Sequence, residues 1–223
     1  MINFHIITVC PDLVTGYLKE SIIGRAIKNN LINVQVYNLR DFTLDKHQKV
    51  DDRPFGGGPG MLLSAEPILL AVASIKEQTK GKKIKTLIMA PGGTEFSNGL
   101  AKKWSRNYSD IILIAGRYEG IDARVQKILK AEEITIGSYI LTGGELPALV
   151  ILDVMSRQIP GVLGSGDSLE EKRSASSENY TRPEVLEFQG KKYKVPKVLL
   201  SGHHKDIEAW RSLKNKKGGL RSF

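Results

Sequence analysis

The sequence predicts an α/β fold, a mostly parallel sheet flanked by helices on both faces, on three observations. Short apolar runs of strand length alternate with stretches of helical spacing over the first 160 or so residues. Three of those runs lead into glycine, at Pro91-Gly92, Gly116 and Gly137. Ligands of open α/β sheets sit beyond the carboxyl ends of strands, so these three loops are expected to converge on one site. Lastly, 223 residues at 41% apolar content can bury a sizeable core as one or two domains.

Each element has its own pattern. Asn3 to Cys10 reads as a strand, and Leu13 to Asn30 has helical spacing through Leu13, Tyr17, Leu18, Ile22 and Ile27. Val34 to Leu39 alternates as a second strand, followed by a long loop from Asp41 to Gly60 and a helix from Ala65 to Lys80. The apolar strand Lys85 to Ala90 is expected to break at Pro91-Gly92-Gly93. Strands at Ile111 to Ala115 and Ile134 to Ile136 bracket a helix from Glu119 to Lys130. The next helix, Glu145 to Gln158, follows Gly143-Gly144, a pair that implies positive φ or a close backbone approach. Glu145 and Pro147 suit its first turn, Leu146, Leu149, Val150, Leu152 and Val154 supply an apolar face, and Pro160-Gly161 ends it. Periodicity is then lost from Ser165 to Asn179, which reads as a linker or catalytic loop between a body at 1–164 and a region at 180–223. In that last region Ile207, Trp210 and Leu213 mark one helix face.

Composition excludes several classes. No apolar run approaches the roughly 18 residues of a membrane span, and the amino terminus lacks a signal-peptide layout, so a cytoplasmic protein with no membrane partner is expected. One cysteine, Cys10, and four histidines are too few for a structural zinc site, and no metal site is expected. Neither GxGxxG after the first strand nor GxxxxGK[ST] is present, so the common dinucleotide and P-loop folds do not apply. The net charge of +9 is concentrated: Lys191 to Phe223 holds 10 basic and 2 acidic side chains, against 23 and 22 in the preceding 190 residues. A polyanion contacted by Lys197, Lys205, Arg211, Lys214, Lys216 and Lys217 fits that distribution, and so does a solvated tail.

Four segments in order, VDDRPFGGGPGM from Val50, AGRYEGID from Ala115, IGSYILTGGELPA from Ile136 and SRQIPGVLG from Ser156, resemble the bacterial tRNA (guanine-37-N1)-methyltransferase family of the SPOUT class. The resemblance implies a deep trefoil knot, a homodimer with active sites at the subunit interface, tRNA as partner and S-adenosyl-L-methionine as methyl donor. It leaves any role of Mg2+ open. By resemblance the donor pocket would be lined by Met89, Ala90, Pro91, Gly92, Gly116, Tyr118, Glu119 and Gly120, with Ile136, Gly137, Ser138, Tyr139, Ile140, Leu141, Gly143, Gly144 and Pro147. Arg157 matches the family's arginine and would hold guanine O6, with Asp153 orienting it as an i,i+4 pair; taken alone, an arginine there satisfies the last helix carbonyls.

The general base departs from the family pattern. Relatives carry an aspartate in an acid-Asp-Ser-Phe tetrad after GVLG, whereas an ungapped count here reaches Lys172. A one-residue gap reaches Glu171, preferred over Asp167 as the base that takes the N1 proton; all these acids also read as linker charge. The loop from Arg40 to Met61 reads as an RNA platform, with Asp51, Asp52 and Arg53 facing an extruded base, Gly58 and Gly60 permitting close approach, and Phe55 offering a stacking face. His47, His203 and Lys205 are further substrate contacts. The region 180–223 would be a shortened basic tRNA-binding region with a short helix. Two alternatives stay open: a SPOUT enzyme acting on another RNA position, and a tRNA-binding homologue without catalysis.

Overall fold

The computed structural model describes residues 1–163 and 178–217, and the chain divides into two compact units, Met1–Gly164 and Ser165–Phe223. The first unit runs β1 (Ile2–Thr8), α1 (Pro11–Leu18), α2 (Ser21–Lys28), β2 (Ile32–Asn38), β3 (Asp51–Asp52), β4 (Leu62–Leu63), α3 (Ala65–Gln78), β5 (Ile84–Glu95), α4 (Asn98–Asn107), β6 (Asp110–Ile114), α5 (Ala123–Leu129), β7 (Glu132–Thr135) and α6 (Glu145–Arg157). In the second, a hairpin of β8 (Val185–Phe188) and β9 (Lys191–Lys194) precedes α7 (Lys197–Leu200) and α8 (His204–Lys217).

Five strands form one sheet in the order β2-β1-β6-β5-β7, with every pairing parallel. Parallel strands are buried on both faces, and alternation along each strand divides its side chains between two layers. Phe4, Ile6, Leu87, Ile111 and Leu113 pack beneath α1, α2, α4 and α6 with Val14, Ile23, Trp104, Leu152 and Met155. Ile7, Ile88, Ile112 and Ile114 pack on the opposite face against Ile68, Val72 and Ile75 of α3 and Val125 of α5. A polar group lies buried in this second face at the amino end of β6. There His5 Nε2 meets Asp110 Oδ1 at 3.1 Å and His5 Nδ1 meets the Tyr37 hydroxyl at 3.1 Å.

The helix read over Leu13 to Asn30 is two helices. Glu20 is extended and Ser21 takes φ 55°, and the turn brings Gly24 so near the Lys19 carbonyl that a Cβ would lie 2.6 Å from its carbon. Two elements carried too weak a pattern to be read: α4, capped by Ser97 and anchored by buried Ala101 and Trp104, and the β8–β9 hairpin. Pro91-Gly92-Gly93 does not end β5 either. The strand continues to Glu95, and its register with β7 shifts between Met89 and Thr94, so these residues form a bulge, one of the few places a strand accepts proline.

Candidate active site

The loops leaving the carboxyl ends of β6 and β7, together with the bulge in β5, surround a cavity of about 280 Å³. Its walls are Met89, Ala90 and Pro91 from β5, Gly116 to Gly120 from the loop after β6, Ile134 to Ile136 at the end of β7, and Tyr139 to Gly144 with Pro147 leading into α6. The loops after β6 and β7 therefore converge as expected, but the third wall is the bulge inside β5 and not a strand end. Most residues expected in the pocket line it, and three do not: Gly92, Gly137 and Ser138. Gly92 sits in the β5 bulge with open space where a side chain would go. Gly137 and Ser138 form a turn in which the Thr135 hydroxyl donates to the Gly137 carbonyl at 2.9 Å and the Tyr139 amide donates to the same oxygen at 2.9 Å. That turn carries Tyr139 back over the pocket. Arg117, Ile134, Thr135 and Thr142 also line the cavity, although nothing in their local sequence marks them for it.

Both glycines of the pair are held by close approach: a Cβ on Gly143 would strike the Arg117 and Glu145 side chains, and Gly144, with φ −84°, lies against backbone. A Cβ there would lie 2.7 Å from Ala115 Cα and Gly116 N, and its amide donates to the Gly116 carbonyl at 2.8 Å. The next residue, Glu145, is buried at 2% exposure. The Thr8 hydroxyl donates to its Oε1 at 2.7 Å, and the Cys10 amide donates to Thr8 Oγ1 at 2.9 Å. Arg117 Nε lies 3.1 Å from Oε1 and 2.9 Å from Oε2; the N–H angle favours Oε1, so Oε2 is held by charge rather than by a hydrogen bond. Hydrogen bonding to Glu145 raises the Arg117 pKa above its already high value. A carboxylate that reads as a helix-start acid is thus the tie between β1, the β6 loop and α6.

The glycine-rich loop is fastened to the same wall. β3 and β4 pair antiparallel, Asp51 opposite Leu63 and Asp52 opposite Leu62, which closes residues 53–61 into a loop. Gly56, Gly57, Gly58 and Gly60 all take positive φ, a conformation that side-chain-bearing residues rarely adopt. The Glu119 amide donates to the Met61 carbonyl at 3.0 Å, the Leu63 amide to the Gly120 carbonyl at 2.9 Å, and a Cβ on Gly60 would strike the Glu119 side chain. Phe55 stands fully exposed at the tip. Asp52 accepts from the Arg53 amide at 2.8 Å and pairs with Lys49 at 3.5 Å, contacts that hold its carboxyl below the usual range. His47 is exposed, and its amide donates to Asp45 Oδ1 at 2.9 Å.

Arg157 ends α6, half-buried and without an ion pair among the described residues. The expected i,i+4 partner is turned elsewhere: the Tyr17 hydroxyl donates to Asp153 Oδ2 at 2.6 Å. Leu146 and Val150, read as part of the buried face, are 59% and 40% exposed; Ala148, Ile151 and Met155 take the core positions. Glu171 and Asp167 lie outside the described residues. His203 and Lys205 are exposed in the second unit, where the Trp210 ring lies 6.3 Å from that of Tyr180.

Residues 2–220 match the family model described as tRNA (Guanine-1)-methyltransferase TrmD. The chain belongs to that family. It is 44% identical over 213 residues to the tRNA (guanine-N(1)-)-methyltransferase of Clostridioides difficile, covering 94% of this chain and 90% of that protein. The enzyme of the same name from Ruminiclostridium cellulolyticum is 45% identical over 213 residues, covering 94% and 89%. Among solved structures, the tRNA (m1G37) methyltransferase from Aquifex aeolicus superimposes with a TM-score of 0.79 at 37% identity, covering 97% of this chain and 90% of that one. Methyl transfer to a tRNA guanine is the chemistry of the family.

Proposed function

We propose that this family member transfers a methyl group from S-adenosyl-L-methionine to N1 of guanine 37 in tRNA, in the cytoplasm. The observation that carries the reading is the junction at Glu119, where the pocket and the glycine-rich loop share a wall. One chamber for the donor and one platform for a splayed base are thereby held side by side. The cavity suits a nucleoside-type donor: its walls are largely apolar, with backbone-rich glycine segments at Gly116, Gly120, Gly143 and Gly144. When bound, the donor supplies an electrophilic methyl on a sulfonium that is already a good leaving group.

The protein's share is positioning and proton handling. Transfer breaks the sulfur–methyl bond and forms N1–methyl, while the N1 proton passes to a carboxylate, Glu171 or Asp167, in the loop after Gly164. Arg157 offsets the charge that gathers on O6, for which a guanidinium without an ion pair among the described residues is suited. Asp51, Asp52 and Arg53 meet the base edge, and the basic groups of the second unit, Lys205 and Arg211 among them, neutralise tRNA phosphates. The described residues contain no group of three side chains that could hold a metal ion.

The active unit is a knotted homodimer. Support for the dimer comes from an exposed stripe, Leu13 and Tyr17 of α1 with Leu146 and Val150 of α6, which runs along α6 toward Arg157. An apolar face leading to a candidate catalytic group is what an interface active site requires.

Labelled donor and tRNA transcripts with or without guanine at 36 and 37 test the reading, with the product nucleotide mapped. Label at N1 of guanine 37 is expected. Label on a ribose or another base means a different RNA position, and RNA binding with no label means a homologue without catalysis. Glu171→Gln and Asp167→Asn, made separately, locate the base; if neither slows transfer, the loop assignment is wrong.

A further inference from the structure

Arg157 and Asp153 are four residues apart on α6, a spacing at which an acid and a base on a helix ordinarily pair. They do not pair here. Instead Asp153 reaches across to α1, where the Tyr17 hydroxyl donates to Oδ2 at 2.6 Å, and Arg157 has no ion-pair partner among the described residues. We infer that Tyr17 is a positioning residue for methyl transfer, holding Asp153 on α1 so that the Arg157 guanidinium stays available to the reacting base. This rests on the role proposed for Arg157 and adds the device that keeps that role open.

A guanidinium already engaged by a carboxylate has spent its fork of donors and part of its charge, so it stabilises a developing oxyanion less. An exposed i,i+4 ion pair shifts its own equilibrium by about twofold, and desolvation under a covering partner strengthens it. A competitor for Asp153 that is not a cation removes the problem without adding a second positive charge beside Arg157. Tyrosine qualifies, since its hydroxyl donates and carries no charge. Its proton is also secure: the bond to Asp153 and partial burial push the Tyr17 pKa up to about 12, so it remains a donor throughout the neutral range. Tyr17 belongs to the same exposed stripe as Leu13, Leu146 and Val150, and a partner seated there would shield the bond from water.

The test uses the full-length protein with Tyr17→Phe, the double variant Tyr17→Phe/Asp153→Asn, and Arg157→Ala as reference. Steady-state transfer to tRNA is followed together with sedimentation. Tyr17→Phe is expected to lower kcat by about two- to fivefold, because the freed carboxylate captures Arg157. KM for the donor and the oligomeric state should be unchanged. Adding Asp153→Asn should restore most of the loss, since an amide cannot form the ion pair; a merely structural role for Tyr17 gives no such rescue. The Arg157 Nε–H resonance provides a reading independent of turnover, moving with Tyr17→Phe and returning in the double variant. An unchanged kcat in Tyr17→Phe, or a loss that Asp153→Asn does not repair, overturns the inference while leaving Arg157 in place. Full activity in Arg157→Ala removes the O6 role and this inference together.

Discussion

Gly144 and Gly92 are both expected to line the proposed donor pocket, yet only one of them is constrained. At Gly144 an added methyl meets backbone of residues 115 and 116, which cannot step aside without opening the pocket wall. Gly144→Ala should lower stability by about 1–3 kcal/mol and abolish donor binding, read by thermal melting and calorimetric titration. Gly92→Ala, in open space, should leave both within error. Glu145 is the other residue with a large expected effect. Glu145→Gln keeps the shape but leaves Arg117 beside a neutral amide. Breaking a buried pair costs about 3–5 kcal/mol, and the partial exposure of Arg117 reduces that to about 2 kcal/mol in urea unfolding.

Between elements, the Tyr17–Asp153 bond is a side-chain link from α1 to α6, and its pH dependence has a definite sign. Tyr17 has its folded pKa raised from 10.0 to about 12, so the link contributes fully below pH 10 and is lost as pH rises toward 12. Wild-type protein should therefore lose stability more steeply than Tyr17→Phe between pH 10 and 12, seen in melts across that range. Equal slopes would mean the bond contributes nothing in solution. The β5 bulge makes a related point about elements. Proline and two glycines predict a strand end, but the pairing partner β7 resumes contact at Thr94 and Glu95, so the segment stays in the sheet as a bulge beside the pocket.

For the molecule as a whole, charge and assembly are the properties that matter. If the second unit neutralises tRNA phosphates, replacing Lys205 and Arg211 by glutamine should weaken binding to all tRNAs alike. It should also reduce the slope of log K against log salt by about 1.5–2, roughly 0.9 for each phosphate no longer neutralised. Val150→Asp, placed on the exposed stripe of α6, should give a monomer by sedimentation and inactivate transfer, with the fold unchanged by circular dichroism. An active monomer would remove the interface from the proposal.

Periodicity and glycine placement made the layered sheet and the converging loops after β6 and β7 legible from the sequence, while the bulge in β5 reads there as a strand end. Apolar spacing reports which faces are buried, and glycine reports where backbone must come close. Neither reports partners. Thr8 and Glu145 are 137 residues apart, Tyr17 and Asp153 are 136, and each reads locally as an ordinary helix or strand residue. Only packing decided that Glu145 faces inward to Arg117 and that Asp153 turns to Tyr17 and not to the arginine one turn along its own helix. The same limit explains Leu146 and Val150: hydrophobicity marked them for burial, and the fold of one chain leaves them at the surface. Which side chains must be covered is written in local composition, whereas what covers them depends on contacts that form only when distant segments meet.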